Sequence, residues 1–274
     1  MFRETSRYIL LFNLLFADTL QLAQAQLLFI ISVSRIIPTY PLCGVFVMFA
    51  YLTLDISPLT LMLMSLEQYV AVCYPLRHST IITIRNTAVA IIVVWGISSL
   101  NVLTRVLLLL QFPFEDLASL QMKDSCNGID LLLLPMSKHY DKAYTGFLFV
   151  SASVAVMSSY IGVTIAARSA STNKASARKA RKTLLLHLVQ LGLSVISTMY
   201  SSIILSVLTF LQRLHILRIK VVLYVFIFIL PRCLSSLIYG LRDKTIRPVL
   251  VYHLCCRLKL GPVSQVILQL QTAK

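Results

Sequence analysis

Charged residues are scarce in this chain. Only 13% of its 274 residues are Asp, Glu, Lys or Arg, while 58% are hydrophobic, and an ordinary soluble domain is about 25% charged. Catalytic motifs are lacking as well, because the sequence contains no HExxH, no GxSxG and no phosphate-binding Gly-rich loop. The first absence excludes a water-soluble fold. The second argues against an enzyme, since an intramembrane enzyme built on Asp18 and Asp55 has no recognisable motif to complete it.

Long apolar blocks take the place of amphipathic alternation. A bilayer core about 30 Å thick requires about 20 apolar residues of a helix that crosses it. The sequence therefore predicts an all-α membrane protein, a helical bundle with six spans, at residues 8–33, 42–73, 87–111, 143–167, 184–211 and 221–239. A short amphipathic helix at 241–257 completes a transmembrane domain of residues 1–260, and a tail at 261–274 follows.

Most Lys and Arg residues fall on one side of these six spans, the side that carries both termini. The positive-inside rule makes that side cytoplasmic. The six spans predict a multi-pass membrane protein, which is expected at the plasma membrane. The formal net charge of +15 then belongs to loops next to anionic lipid of the bilayer, and it implies no nucleic-acid partner.

The six cysteines form no CxxC pair of the kind that binds zinc, and the topology separates them by compartment. Cys43 opens the second span and Cys126 lies in the longest outer loop, where an oxidising compartment favours a disulfide over two free thiols. Cys255 and Cys256 lie in the inner amphipathic segment, so they are either sites of reversible palmitoylation or inert thiols.

Asp55 lies near the middle of the second span, about 18 Å from Cys43 at 1.5 Å per residue. A charged residue there costs about 2.5 to 3.5 kcal/mol on insertion, so it needs a partner or a hydrated cavity. Tyr51 shares its helix face, with Leu54 beside them. This stripe either lines a cavity between helices, or Asp55 only bonds to Ser or Thr on a neighbouring helix.

Asp18 and Arg105 are also ionisable residues within predicted spans. Asp18 belongs either to a polar cluster inside the bundle or to a local bond with Asn13 or Thr19. Arg105 is either a counter-ion or extends outward to the interface. A channel or transporter subunit, in which Asp18 and Asp55 line a permeation path, remains the alternative to a receptor, although the inverted repeats typical of transporters are lacking.

The end of the second span carries a family resemblance. Residues 64–77 read MSLEQYVAVCYPLR, which resembles MSLERYVAVCxPLR at the inner end of the third helix in odorant receptors of the rhodopsin-like class. Further stretches resemble the same family, of the type found in fish: FRETSRYILLFNLLFADTLQL at 2–22, KARKTLLLHLVQL at 179–191 and LPRCLSSLIYGLRDKTIR at 230–247.

The resemblance implies a G-protein-coupled receptor that binds a small-molecule odorant inside the bundle and activates a heterotrimeric G protein of the olfactory stimulatory type, with no cofactor. It places the family's disulfide on Cys43 and Cys126. The implied ligand-pocket positions are Tyr51, Leu54, Asp55, Thr198, Met199 and Ser202. The implied positions for the switch and for G-protein contact are Glu67, Gln68, Tyr69, Lys179, Arg181, Lys182 and Tyr239.

The chain departs from the family pattern in three respects. It begins at the equivalent of the first inner loop, so six of the family's seven helices are expected. Gln68 stands where the family has Arg, which weakens the ionic latch, the ion pair between that Arg and the preceding acid. Ser235 and Ser236 replace Asn and Pro of the NPxxY motif. These departures together predict a partial or decayed, non-functional receptor, and Gln68 in particular predicts altered basal activity or weaker G-protein coupling.

Overall fold

The computed structural model describes residues 2–34, 38–111, 126, 135–169, 174–198, 222, 224–230, 232–233, 248 and 251. The α-helices within this part of the chain are α1 (Phe2–Val33), α2 (Tyr40–Cys73), α3 (His78–Ile81), α4 (Ile84–Leu110), α5 (Pro135–Ser169) and α6 (Lys174–Thr198). A π-helical segment, Tyr224–Ile229, follows.

Four helices in the described part of the chain are long and apolar enough to cross a membrane. They are Ser6–Ile31, Tyr40–Cys73, Ile84–Leu110 and Pro135–Ala166. The predicted fold class, an all-α bundle of membrane helices, is therefore confirmed. The predicted spans 184–211 and 221–239 lie partly outside the described residues.

Several helices extend beyond the apolar blocks that predicted them. The predicted fifth span starts at residue 184, for example, whereas α6 starts at Lys174. Counting apolar residues finds only the part of a helix that lies in hydrocarbon, whereas the backbone hydrogen bonds continue through the polar interface. The first ten residues of α6 are KASARKARKT, and Ala, Lys and Arg favour a helix without any apolar face.

Local signals in the sequence account for the ends of α2 and α4. A proline lies in the first turn of α2, where the missing N–H costs nothing. The helix ends at Cys73, two residues before Pro75, which cannot continue it. The start of α4 is capped by Thr83, whose hydroxyl accepts a hydrogen bond from the Asn86 backbone N–H at 3.1 Å.

The centre of the bundle is α2, which contacts α1, α4, α5 and α6. Half of its membrane-spanning window is buried, compared with 22% for α4. A main cluster of buried apolar residues from α1, α2, α5 and α6 surrounds it: Leu10, Leu11, Leu14, Leu61, Met64, Phe149, Ala152, Val156 and Leu191. Because lipid tails are as apolar as these residues, such contacts contribute packing rather than hydrophobic stabilisation, and hydrogen bonds between helices gain importance.

One such set of hydrogen bonds joins α1, α2 and α4. The Asn13 side-chain amide donates to Thr60 Oγ1 at 3.0 Å, and the Trp95 ring N–H donates to Asn13 Oδ1 at 2.9 Å. Asn13 and Thr60 are buried. These hydrogen bonds restrain the rotation of α1, α2 and α4 about their axes relative to one another.

Candidate functional site

A disulfide joins Cys43, in the first turns of α2, to Cys126. The two Cα atoms are 5.5 Å apart, within the ordinary range for such a bridge. Cys43 is fully buried and packs with Tyr40 and Val47. The predicted pairing is present, and it attaches the segment that follows α4 to one end of the bundle, called here the disulfide end.

Asp55 lies below the disulfide, within a set of hydrogen bonds between α2, α4 and α5. Its Oδ2 accepts from the Asn101 side-chain amide at 2.7 Å and from the Tyr144 hydroxyl at 3.1 Å. Asn101 Oδ1 in turn accepts from Tyr140 at 3.0 Å and from Arg105 Nε at 3.3 Å. The partners of Asp55 are an amide and a phenol, and not the Ser or Thr that the sequence suggested.

Arg105 completes this arrangement as a counter-ion. One of its terminal nitrogens lies 2.6 Å from Asp141 Oδ1, and its guanidinium carbon lies 3.8 Å from the centre of the Tyr51 ring. The side chain is only 3% exposed, so Arg105 does not extend outward to the interface. A guanidinium over an aromatic ring adds a cation–π attraction, which is stronger where water is excluded.

These residues are called the Asp55 network, and its members are Tyr51, Asp55, Asn101, Arg105, Tyr140, Asp141 and Tyr144. It combines two carboxylates, one guanidinium and three phenols among apolar helices. Groups of this kind bind the polar part of a small molecule by exchanging one hydrogen-bond partner for another.

The structure brings together only part of the predicted pocket. Tyr51 and Asp55 belong to the network, and the half-buried Leu54 lies between them on α2. Thr198 is the last residue of α6, with its side chain outside the described part, and Met199 and Ser202 lie outside the described residues.

Asp18 belongs to a second buried cluster, which connects α1, α2 and the C-terminal part of the chain. The Ser57 hydroxyl donates to Asp18 Oδ1 at 2.7 Å, and Arg232 lies 3.1 Å from the same oxygen. The local alternative is not observed, because Thr19 donates to the Leu15 carbonyl and the Asn13 amide donates to Thr60. Asp18 and Asp55 are therefore members of two separate clusters.

The predicted switch residues lie at the other end of α2, where Arg7 of α1 meets them. An Arg7 terminal nitrogen donates to Gln68 Oε1 at 3.0 Å, and Arg7 Nε lies 3.7 Å from Glu67 Oε2. Glu67 and Gln68 are buried, while Arg7 is 34% exposed. Arg7, Glu67 and Gln68 are called the Arg7 cluster, and nothing in the sequence beyond the basic character of this end pointed to Arg7 in particular.

Tyr69, the next residue on α2, faces α5 and α6 instead of α1. Its ring packs with the cluster formed by Val163 and Leu184. It also covers Gly162 so closely that a Cβ atom placed there would collide with the ring. The absence of a side chain at Gly162 therefore allows Tyr69 to lie against α5.

We expect Gly162→Ala to lower the free energy of unfolding by about 1 to 3 kcal/mol, because the new methyl group must displace the Tyr69 ring. Gly146→Ala is a matched control on the same helix, since a Cβ at Gly146 meets no atom within 4 Å. Thermal unfolding of the two variants in detergent would measure the difference. Equal melting temperatures would show that the Tyr69 ring does not depend on this space.

The remaining predicted coupling residues are placed only in part. Arg181 and Lys182 are exposed on the first half of α6, and Lys179 lies on the same stretch with its side chain outside the described part. Tyr239, Cys255 and Cys256 lie outside the described residues.

Comparison with known proteins agrees with this geometry. Residues 2–239 match the family model of the 7 transmembrane receptor (rhodopsin family). The chain is 32% identical over 257 residues to odorant receptor 131-2 of Danio rerio, covering 93% of this chain and 78% of that receptor. It is 25% identical over 273 residues to olfactory receptor 4K15 of Homo sapiens, covering 96% and 80% of the two chains.

The match over nearly the whole chain shows that the protein belongs to the rhodopsin family of seven-transmembrane receptors. Within that family it is an odorant-type receptor, as its similarity to the fish and human receptors shows. The predicted resemblance is confirmed. This is a family of multi-pass membrane proteins and not a class of enzymes.

Proposed function

We propose that this receptor binds a small-molecule odorant at the Asp55 network and responds by activating a heterotrimeric G protein of the olfactory stimulatory type. The Asp55 network is the observation that carries the proposal. It places a buried guanidinium and two carboxylates between α2, α4 and α5, beneath the Cys43–Cys126 disulfide. Polar groups buried at such a cost in a membrane protein are typical of ligand sites.

The two ends of the receptor communicate through α2. This helix carries Asp55 in its first half and Glu67 near its last turn. A ligand that takes over a hydrogen bond of the network binds one arrangement of α2, α4 and α5 better than another, and it shifts the population toward that arrangement. The opposite end of α2 then presents a different surface to the G protein.

The positive-inside rule supports an orientation with the Arg7 end in the cytoplasm of a cell and the disulfide end outside. Arg77, Arg85 and the basic start of α6 lie at the Arg7 end. The disulfide end then faces an oxidising compartment, which is the condition for a stable bridge. Both termini of the sequence are cytoplasmic in this arrangement, at the plasma membrane.

We expect Arg105→Leu to reduce odorant potency about 10- to 100-fold, because it removes charged hydrogen bonds worth about 1.5 to 3 kcal/mol each and leaves Asp141 without its cation. Cyclic AMP would be measured in cells that contain the olfactory stimulatory G protein, after a panel of odorant mixtures. Arg85→Leu, at the exposed start of the same helix, is the control.

Surface expression must be matched before potencies are compared. A variant Arg105→Leu that responds to the active mixture at the same concentration as Arg85→Leu would remove the Asp55 network from the ligand site. The proposed function itself would be contradicted if the wild-type receptor reached the cell surface but did not raise cyclic AMP in response to any mixture of the panel.

A further inference from the structure

The switch end of α2 lacks the arginine that its family places after the acid. Gln68 is a neutral amide, with one carbonyl oxygen to accept and an NH₂ group to donate hydrogen bonds, so it provides no positive charge. Glu67 beside it is only 3% exposed. A carboxylate buried to that degree needs a cation close by if it is to stay ionised.

Arg7 provides that cation from another helix. Its guanidinium contacts both residues, with one nitrogen 3.7 Å from the Glu67 carboxylate and another donating to the Gln68 carbonyl oxygen at 3.0 Å. The planar fork of arginine suits this double contact, since its nitrogens point to neighbouring acceptors in a fixed geometry. Gln68 is thus an acceptor for Arg7 in this protein.

We propose that Arg7 is the cation of the signalling switch in this receptor, so that the ionic latch joins α1 to α2. The proposal rests on the proposed function, because it concerns the step that couples ligand binding to the G protein. In this proposal Gln68 does not remove the positive charge from the switch, because Arg7 of α1 provides the charge that α2 lacks.

Because the cation lies on α1 and not on α2, the latch responds to a different movement. An ion pair between consecutive residues of one helix does not resist the separation of that helix from its neighbours. A contact between Arg7 and the Glu67–Gln68 pair breaks when the ends of α1 and α2 move apart, and it re-forms when they return. Because Arg7 is 34% exposed, water hydrates its guanidinium when the contact opens, while the buried Glu67 carboxylate favours the return of Arg7, which suits a reversible switch.

The test uses the full chain in lipid nanodiscs with a purified stimulatory G protein and no odorant, and measures the rate of GTPγS binding. Arg7→Gln is expected to raise this basal rate about two- to fivefold, the range for a part-exposed ion pair. The double variant Arg7→Gln, Gln68→Arg exchanges the two side chains, so that a guanidinium donor and an amide acceptor again face each other across α1 and α2, and it is expected to restore the wild-type rate.

Arg85→Gln is the control, because it removes one positive charge at the same end without touching Glu67 or Gln68. Equal basal rates for Arg7→Gln and Arg85→Gln would overturn the proposal, as would a double variant that keeps the raised rate of Arg7→Gln.

A second measurement separates this proposal from the function on which it rests. The variants Arg7→Gln, Glu67→Gln and their combination form a double-mutant cycle in thermal unfolding, which needs no G protein. A combined effect smaller than the sum of the single effects supports the contact, and additive effects overturn it. A receptor that shows coupling in the cycle, yet promotes no nucleotide exchange with odorant or without, would refute the signalling role along with the proposed function.

Discussion

Arg232→Ala is expected to lower the free energy of unfolding by about 3 to 5 kcal/mol, the range observed when one partner of a buried ion pair is removed. Arg232 lies 3.1 Å from Asp18 Oδ1, and the side chains of both residues are at most 5% exposed. The variant leaves the buried carboxylate of Asp18 without the Arg232 guanidinium, although the Ser57 hydroxyl still donates to it. Thermal unfolding in detergent would measure the loss.

The partner charge provides the decisive comparison. Because burying an ion pair is itself costly, removal of both charges in Arg232→Met, Asp18→Asn should recover a large part of the stability that Arg232→Ala loses. Cys233→Ala changes the adjacent exposed residue and controls for the local effect of substitution. An Arg232→Ala variant as stable as Cys233→Ala would mean that the ion pair does not stabilise the bundle.

Loss of the disulfide is expected to be the other large effect. Cys43→Ser should lower the free energy of unfolding by about 2 to 5 kcal/mol, the usual cost of removing a native bridge. The bridge joins residues separated by 83 positions, and the loop that it closes contains α4. Thermal unfolding with and without dithiothreitol would measure its contribution.

The matched variants are Cys126→Ser and Cys73→Ser. Cys126→Ser should resemble Cys43→Ser, since either substitution opens the same bridge, and their combination should lose little more. Cys73 is a free cysteine at the end of α2, and its replacement should leave the sensitivity to dithiothreitol intact. A wild-type melting temperature that dithiothreitol does not change would contradict a stabilising role for the bridge.

The features of this fold that are set by the bilayer and by the redox compartment were predictable from the sequence. Apolar blocks reveal membrane helices because the bilayer sets their length, and the compartment of Cys43 and Cys126 indicated their pairing. The helix ends were less predictable. Residues at the polar interface, such as those at the start of α6, give no apolar signal although their backbone remains helical.

The sequence predicted that the buried charges have partners, but it did not predict which residues those partners are. The sequence indicates that Asp18, Asp55 and Arg105 need partners, because isolated charges are costly in a membrane. Which residues meet them depends on the rotation and tilt of whole helices, and periodicity along one helix contains no information about either. Arg7 could not be selected for the same reason, since its contact with Gln68 spans 61 positions of sequence.

The unequal burial of α2 and α4 has a consequence for how receptors of this kind diverge. The outward face of α4 carries apolar side chains, with Ile92 and Leu100 more than 60% exposed, so exchange of one apolar residue for another there disturbs little of the packing within the protein. Along α2, a substitution meets several neighbouring helices at once. We expect the sequences of related receptors to diverge fastest along α4. Their similarity should persist longest in the stretch that ends with Glu67, Gln68 and Tyr69.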